Sequence, residues 1–239
     1  MKLIDSILEF VFPNRCPCCG EINVTNEPCE KCGSDLNSCR FEGRICKKCG
    51  NEALLCECSK YNYLFNGVCA PFKNIGIARD GIYGLKFLDR PYSADYFGKE
   101  IAARFTEVFK EVKPDFVCIV PSSKRTLLKR NYDYVELLAK RVAKELGIPL
   151  ESKTIKKVKQ NEQQHKLSTD KRMSNVKGVF AVKENLIGKT ILLIDDIKTT
   201  GYTLNECAKQ LRLSGAENVY CAVALISLIN TCNKKKHKI

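Results

Sequence analysis

Asp195 and Asp196 follow directly on four apolar residues, Ile191 to Ile194, and are followed by Ile197, Lys198, Thr199, Thr200, Gly201, Tyr202 and Thr203. Ionised carboxylates accept hydrogen bonds and donate none, which suits the hydroxyls of a sugar. The hydroxyls of Thr199, Thr200 and Thr203, joined by backbone N–H groups at the start of a following helix, suit an anion. Gly201 lets the backbone approach that anion closely. A sugar carrying a phosphate would satisfy both halves of the stretch at once. An ordinary strand-to-helix turn with an aspartate cap is the simpler alternative. It leaves unexplained two adjacent acids behind a buried strand, which are costly without partners.

The second chemical constellation is sulfur. Eleven of the 15 cysteines lie between Cys16 and Cys69. Cys16 and Cys19, then Cys29 and Cys32, are Cys-x-x-Cys pairs each closed by a glycine, Gly20 and Gly33. Two such knuckles complete a tetrahedral four-sulfur site, and the glycines are expected at positive φ. Cys46 and Cys49, closed by Gly50, and the tighter pair Cys56 and Cys58 form a second set. Two zinc ribbons in tandem are the economical reading; the alternative for the second set is unliganded or buried thiols. Cys18 and Cys39 are left over, so one or two structural Zn²⁺ ions remain open. Cys118, Cys207, Cys221 and Cys232 are expected as small buried residues. The odd total argues against a disulfide framework and for a reducing, cytoplasmic setting.

These groups need elements to hold them. Apolar periodicity predicts strands over 66–72, 116–120, 178–182, 190–194 and 219–226, and helices over 75–88, 94–112, 135–146 and 204–214. Strands alternating with helices define an α/β domain with a mostly parallel sheet, and its ligands bind beyond the carboxyl ends of the strands. The cysteine segment, residues 1–62, reads as a separate N-terminal module ahead of a larger domain, residues 63–239. Few large apolar groups lie between residues 13 and 62, so metal would supply folding free energy there. Residues 1–12 could be mistaken for a signal peptide, but Asp5 and Glu9 interrupt them, and Leu3, Ile4, Ile7, Leu8 and Val11 fit a short docking helix.

Two further loops could complete the site. Val120 and Pro121 end a strand and lead into Ser122, Ser123, Lys124 and Arg125, a candidate anion loop with two cations. Residues 151–177 are basic and polar without clear periodicity, and read either as a loop closing over the ligand or as a solvated surface. They carry His165; the other histidine, His237, sits in a lysine-rich tail. The formal charge of +13 fits a phosphate-rich partner or simply a solvated basic surface. No stretch approaches the ~20 apolar residues of a transmembrane helix.

The stretch from Ile191 to Thr203 resembles, at every position, the phosphoribosyl diphosphate (PRPP) signature of type I phosphoribosyltransferases. The chain as a whole resembles the ComF family of competence-associated proteins, ComFC-type members in particular. That likeness rests on Phe12-Pro13 with Cys16, on Tyr83-Gly84-Leu85-Lys86-Phe87, on Val120-Pro121 with the basic run to Arg130, and on Gln164, Leu167 and Ser168. It continues through Arg172, Asn175, Val176, Gly178 and Phe180 into the PRPP loop. Departures are Arg130-Asn131-Tyr132-Asp133-Tyr134, the serines at 122 and 123, and Lys198. The resemblance implies a type I phosphoribosyltransferase fold behind a zinc-ribbon module, and displacement of diphosphate from PRPP by a nitrogen nucleophile with Mg²⁺ bridging the phosphates. Asp195 and Asp196 would hold the ribose hydroxyls, residues 199–203 the 5-phosphate, and Ser122, Ser123, Lys124, Arg125 and Arg172 the diphosphate. It also implies a role in natural transformation, with single-stranded DNA and the competence helicase machinery as partners. Turnover, a silent DNA-binding adaptor and a PRPP sensor remain alternatives; for the adaptor, Tyr132 and Tyr134 are candidate stacking residues.

Overall fold

The computed structural model describes residues 13–56, 58–59, 61–122, 132–158 and 178–228. The helix read over 1–12, the cations Lys124 and Arg125, Ser123, and Gln164, His165, Arg172, Cys232 and His237 lie outside them.

The apolar run at Ile191 to Ile194 becomes the central strand of a parallel sheet. In chain order the strands are β1 (Gly67–Cys69), β2 (Phe72–Lys73), β3 (Phe116–Ile119), β4 (Ile155–Lys157), β5 (Phe180–Val182), β6 (Thr190–Lys198) and β7 (Asn218–Ile226). The sheet runs β1-β7-β6-β3, with β2 also against β7 and every pairing parallel. β1 and β2 share one edge, interrupted at Ala70 and Pro71; proline has no N–H to give a ladder. β4 and β5 form a separate antiparallel pair, Ile155 opposite Val182. The helices are α1 (Glu30–Cys39), α2 (Gly76–Phe87), α3 (Ser93–Val108), α4 (Tyr134–Leu146) and α5 (Tyr202–Leu213).

Period-two alternation sorts the sheet residues onto two buried faces. Leu192, Ile194, Val117, Ile119, Ala222 and Ala224 pack with α1 to α4. Ile191, Leu193, Phe116, Cys118, Val219, Cys221 and Val223 pack with α5 and β5. Each face is completed by one part of the cysteine segment. Cys16, Cys18, Cys32, Leu36 and Cys39 belong to the first cluster, and Cys49 with Tyr63 and Phe65 to the second.

Several expectations change. The segment 29–39 contains a ten-residue helix, α1, so Gly33 is helical, whereas Gly20 and Gly50 do take positive φ (83° and 78°). The helix read to residue 112 ends at Val108. β4 emerges from the stretch read as unpatterned, because its three residues are stabilised by pairing with β5 and not by an apolar run of their own. β6 continues four residues past Ile194, so both acids stand within the strand; Asp195 faces Val223 and Ile197 faces Leu225.

Glycine brings α2 close to the first knuckle. A Cβ on Gly81 would lie 2.6 Å from the Phe97 ring and 3.2 Å from the Pro17 carbonyl. Gly81→Ala should therefore lower stability by about 1–3 kcal/mol. Gly33→Ala, which meets nothing within 4 Å, should leave stability unchanged or raise it by up to ~1 kcal/mol through helix propensity. Urea midpoints of the two variants test the difference; equal midpoints would contradict the close packing.

Candidate functional site

β6 brings the acids to the carboxyl end of the sheet, and each carboxylate is tied to the backbone just ahead of it. Asp195 Oδ1 accepts from Asp196 N–H at 2.9 Å, and Asp196 Oδ1 accepts from Ile197 N–H at 2.8 Å. The Asp196 side chain is only 8% exposed, and an ammonium from α2 neutralises it: Lys86 Nζ lies 2.5 Å from Asp196 Oδ2. Lys86 also stands 5.2 Å from the Tyr134 ring centroid, at the start of α4. Burial disfavours the Lys86 charge, but Asp196 and then Tyr134 outweigh it and hold the ammonium above its ordinary value. Asp195 goes the other way. Burial, then the Asp196 charge, keep its carboxyl well above the usual carboxylate range, against the Asp196 N–H and Lys86. The pair thus offers one carboxyl already matched to an ammonium and a second that resists charge. A cation arriving there would favour ionisation of the second.

The anion half follows at once. Gly201 (φ 80°) opens α5 in the left-handed conformation, and no side chain caps that helix start among the described residues. Thr199, Thr200, Gly201 and the first turn carrying Tyr202 and Thr203 form one short loop. Its floor is aromatic and cationic. Tyr63 Oη donates to the Thr200 carbonyl at 3.2 Å, and a Cβ on Gly201 would come within 3.2 Å of the Tyr63 ring. Lys198 turns inward, 1% exposed, with its ammonium 5.7 Å from the Tyr63 centroid.

Of the second anion loop, Ser122 is the site residue among those described. Ser122 follows β3, but its hydroxyl donates to Asp133 Oδ1 at 3.1 Å, and that carboxylate also caps α4 by accepting from Val135 N–H. Of the two candidate stacking residues, Tyr134 is buried and Tyr132 half-buried. Tyr132 Oη donates to the Leu85 carbonyl at 3.0 Å, and Tyr134 is buried against Lys86. Burial at the start of α4 takes the Tyr134 ring out of reach of a base.

Eight cysteines gather into two groups, Cys16, Cys19, Cys29 and Cys32, and Cys46, Cys49, Cys56 and Cys58; within each, the ligand atoms all lie within 4.8 Å of one another. In the second group Cys46 and Cys58 sulfurs are 3.6 Å apart and Cys49 and Cys56 3.8 Å. A tetrahedral zinc thiolate shell spaces its sulfurs at about 3.8 Å, so the donor set fits. The leading cysteine of each group is made acidic by the turn that follows. Burial opposes this, but N–H groups of Cys19, Cys29 and Cys18 bring Cys16 to about 6. Those of Cys49 and Lys48, with the Cys56 and Cys58 thiols, bring Cys46 to about 7. Cys18 and Cys39 belong to neither group. Burial, then the Cys16 and Cys19 charges, push the Cys18 thiol far up, and Cys39 Sγ points at the carbonyls of Asp35 and Ile75. Both are core residues. Two clusters that could hold structural zinc are therefore present.

Lys86 is the site residue that local reading passes over. The motif around Tyr83 to Phe87 is visible in the sequence, but its partner is 110 residues away.

Residues 136–239 match the family described as phosphoribosyl transferase domain. Together with the parallel sheet and flanking helices, this makes the chain the bearer of a type I phosphoribosyltransferase domain behind its cysteine clusters. The chain is similar to Competence protein F of Haemophilus influenzae, 33% identical over 109 residues, which are 44% of this chain and 48% of that protein. It is similar also to DNA utilization protein YhgH of Salmonella typhi, 34% identical over 106 residues, 44% of this chain and 47% of the relative. The ComF resemblance holds over that share; the chain spans about half the length of the curated relatives it matches. Among solved structures, it is similar to glutamine PRPP amidotransferase from B. subtilis (22% identity, 63% of this chain, 28% of that one, TM-score 0.36). Another is adenine phosphoribosyltransferase from Saccharomyces cerevisiae (17% identity, 59% of this chain, 72% of that one, TM-score 0.38). No helix among the described residues is long and apolar enough to cross a membrane.

Removing Lys86 should strand a buried carboxylate. Lys86→Met is expected to cost stability at the lower end of the roughly 3–5 kcal/mol typical of a broken buried pair, because Lys86 keeps a quarter of its exposure. Adding Asp196→Asn should restore most of the loss. The raised ammonium value means that the pair contributes fully below the ordinary lysine range and fails only as pH rises through the folded value. Denaturation midpoints of the single and double variants at neutral pH check this; a neutral Lys86→Met would contradict it.

Proposed function

We propose that this chain binds PRPP with Mg²⁺ at the end of β6, and that it transfers the phosphoribosyl group to a nitrogen nucleophile. The observation that carries the reading is the acid pair standing directly beside an open helix start. Asp195 and Asp196 would hold the ribose hydroxyls, and Thr199, Thr200, Gly201, Tyr202 and Thr203 the 5-phosphate. Ser122, Ser123, Lys124, Arg125 and Arg172 would hold the diphosphate. Mg²⁺ supplies charge neutralisation to the leaving diphosphate when bound, as a hard cation favouring phosphate oxygens. The chain's own part is to position the ribose and offset the developing charge. Lys86 would hold the Asp196 carboxyl in place before ligand arrives.

Structural Zn²⁺ ions at Cys16, Cys19, Cys29 and Cys32, and at Cys46, Cys49, Cys56 and Cys58, would staple the N-terminal module, residues 1–62, onto the transferase domain, residues 63–239. The work would take place in the cytoplasm, where thiolates stay reduced.

A second reading, in which the chain engages single-stranded DNA and the competence helicase machinery, is favoured by the names of its relatives, Competence protein F and DNA utilization protein YhgH, and by the net charge of +13. Its DNA affinity would fall steeply with salt, and a flat response would remove it.

Calorimetry with PRPP and Mg²⁺ tests the first reading: binding is expected for the native chain and is lost in Asp195→Asn with Asp196→Asn. Because the Asp195 carboxyl is held well above its ordinary range, and the ligand favours its charged form, affinity should rise as pH climbs above the ordinary carboxylate range. Undiminished affinity in the double variant would sink the site assignment. For the metals, Cys18→Ala should retain two zinc ions per chain and Cys19→Ser should lose one, as read by metal analysis; equal zinc content would overturn the ligand sets.

A further inference from the structure

The second cysteine cluster and the phosphate loop are far apart in sequence but joined by one short piece of chain. Cys58 ends the cluster, and the residues just beyond it run along the start of α5. Tyr61 meets Tyr202 edge-on at 5.7 Å and lies 5.7 Å from Tyr63. Tyr63 stacks on Phe65 at 4.7 Å and donates its hydroxyl to the Thr200 carbonyl. The backbone is fastened to the same helix: Leu64 N–H donates to Asn205 Oδ1 at 2.5 Å, Asn205 Nδ2 to the Asn62 carbonyl at 3.3 Å, and Arg212 Nε to the Leu64 carbonyl at 3.2 Å. On its other side this strap is held by the cluster's own turn. Lys48 donates to the Phe65 carbonyl, and Val68 N–H donates to the Lys47 carbonyl at 3.0 Å.

The consequence is geometric. Thr200 and Gly201 must keep their carbonyl and φ angle if the loop is to aim N–H groups at an anion. The wall that fixes both is Tyr63, and Tyr63 is held in place between α5 and the 46–49 turn. That turn carries Cys46 and Cys49, which share a ligand set with Cys56 and Cys58, so a metal there fixes both ends of the strap's attachment. Among the described residues the first cluster makes no such contact. Its neighbours are Arg90, Ser93 and α2, through Arg90 Nη1 to the Cys18 carbonyl and Ser93 Oγ to the Pro17 carbonyl.

We propose that the second cysteine cluster and the phosphate loop are thermodynamically coupled through the Tyr61–Tyr63 strap. A metal at Cys46, Cys49, Cys56 and Cys58 strengthens the hold on a sugar phosphate, and the sugar phosphate strengthens the hold on that metal. The inference rests on the phosphate-binding reading above, and adds Tyr61 and Tyr63 to it as positioning residues. Coupling of this kind is reciprocal by necessity, and commonly amounts to about five- to a hundredfold.

The test uses the full chain loaded with zinc, and ribose 5-phosphate as probe. Calorimetry compares the native chain with Cys56→Ser plus Cys58→Ser, which removes the second metal. It also includes Tyr63→Phe, which removes only the hydroxyl and spares the ring. Amide hydrogen exchange at residues 199–205 is followed in each. We expect affinity to fall at least fivefold in the cysteine variant and severalfold in Tyr63→Phe, with faster exchange over 199–205 in both. In the native chain, ribose 5-phosphate should slow zinc release from the second cluster to a chromophoric chelator; in Tyr63→Phe that protection should shrink. Equal affinity and equal exchange with and without the second metal would overturn the coupling while leaving the phosphate site standing. Should ribose 5-phosphate not bind the native chain at all, the phosphate-binding reading fails. The exchange data then decide the coupling alone, since unchanged protection of residues 199–205 in the cysteine variant would refute it.

Discussion

A carboxylate at the end of a buried strand is tolerable only beside a cation, and here the cation comes from another layer. Asp196 is nearly closed off from solvent and Lys86 reaches it from α2. For that contact to exist, α2 must lie close against the sheet face that carries Leu192 and Ile194. Two glycines allow it: Gly81 faces Phe97 and Pro17, and Gly84 faces Arg90. Pro17 belongs to the first knuckle, and Arg90 reaches the carbonyl of its neighbour Cys18. The acid pair therefore depends on a packing chain that begins in the cysteine segment.

The two walls of the candidate site are supported from opposite faces of one sheet. The acid wall leans on α2, and so on the first knuckle group. The anion wall leans on Tyr61, Tyr63 and Phe65, and so on the second. A parallel sheet with both faces covered gives each side chain of β6 a fixed direction. Its alternation is what allows neighbouring residues in one strand to be served by different layers. The cysteine clusters stand against the sheet faces, where they contribute Cys16, Cys32 and Cys49 to the buried interior.

Much of this was legible from local pattern. The apolar run before Asp195, the hydroxyl residues around Gly201 and the cysteine spacing are all short-range signals, and the strand, the helix start and the two sulfur groups appear where those signals put them. Local pattern failed where partners were distant. β4 has too few residues for a period and needs β5. Gly33 looked like the other knuckle glycines, yet the run after Cys29 is helical because Cys32, Leu36 and Cys39 share one buried stripe. Lys86 and Tyr63 meet the site across 110 and 137 residues, separations at which spacing carries no information. Tyr132 and Tyr134 looked available because aromatic residues in a polar run read as exposed. The burial of Tyr134 follows from the docking of α4 on the sheet, which sequence spacing does not encode.

The broken edge at β1 and β2 has a consequence for how the molecule meets others. An uncovered strand edge is a template for pairing with a foreign chain. Here Pro71 removes a donor in the middle of that edge, and Arg40 bridges to Phe72 from the cysteine segment. At the opposite margin, Leu150 bridges to Val117 beside β3. Among the described residues, both margins of this sheet are occupied or interrupted, so it offers an incoming molecule a poor ladder to extend. Recognition is left to side chains and loops, which favours reversible encounters over the stacking that leads to fibres.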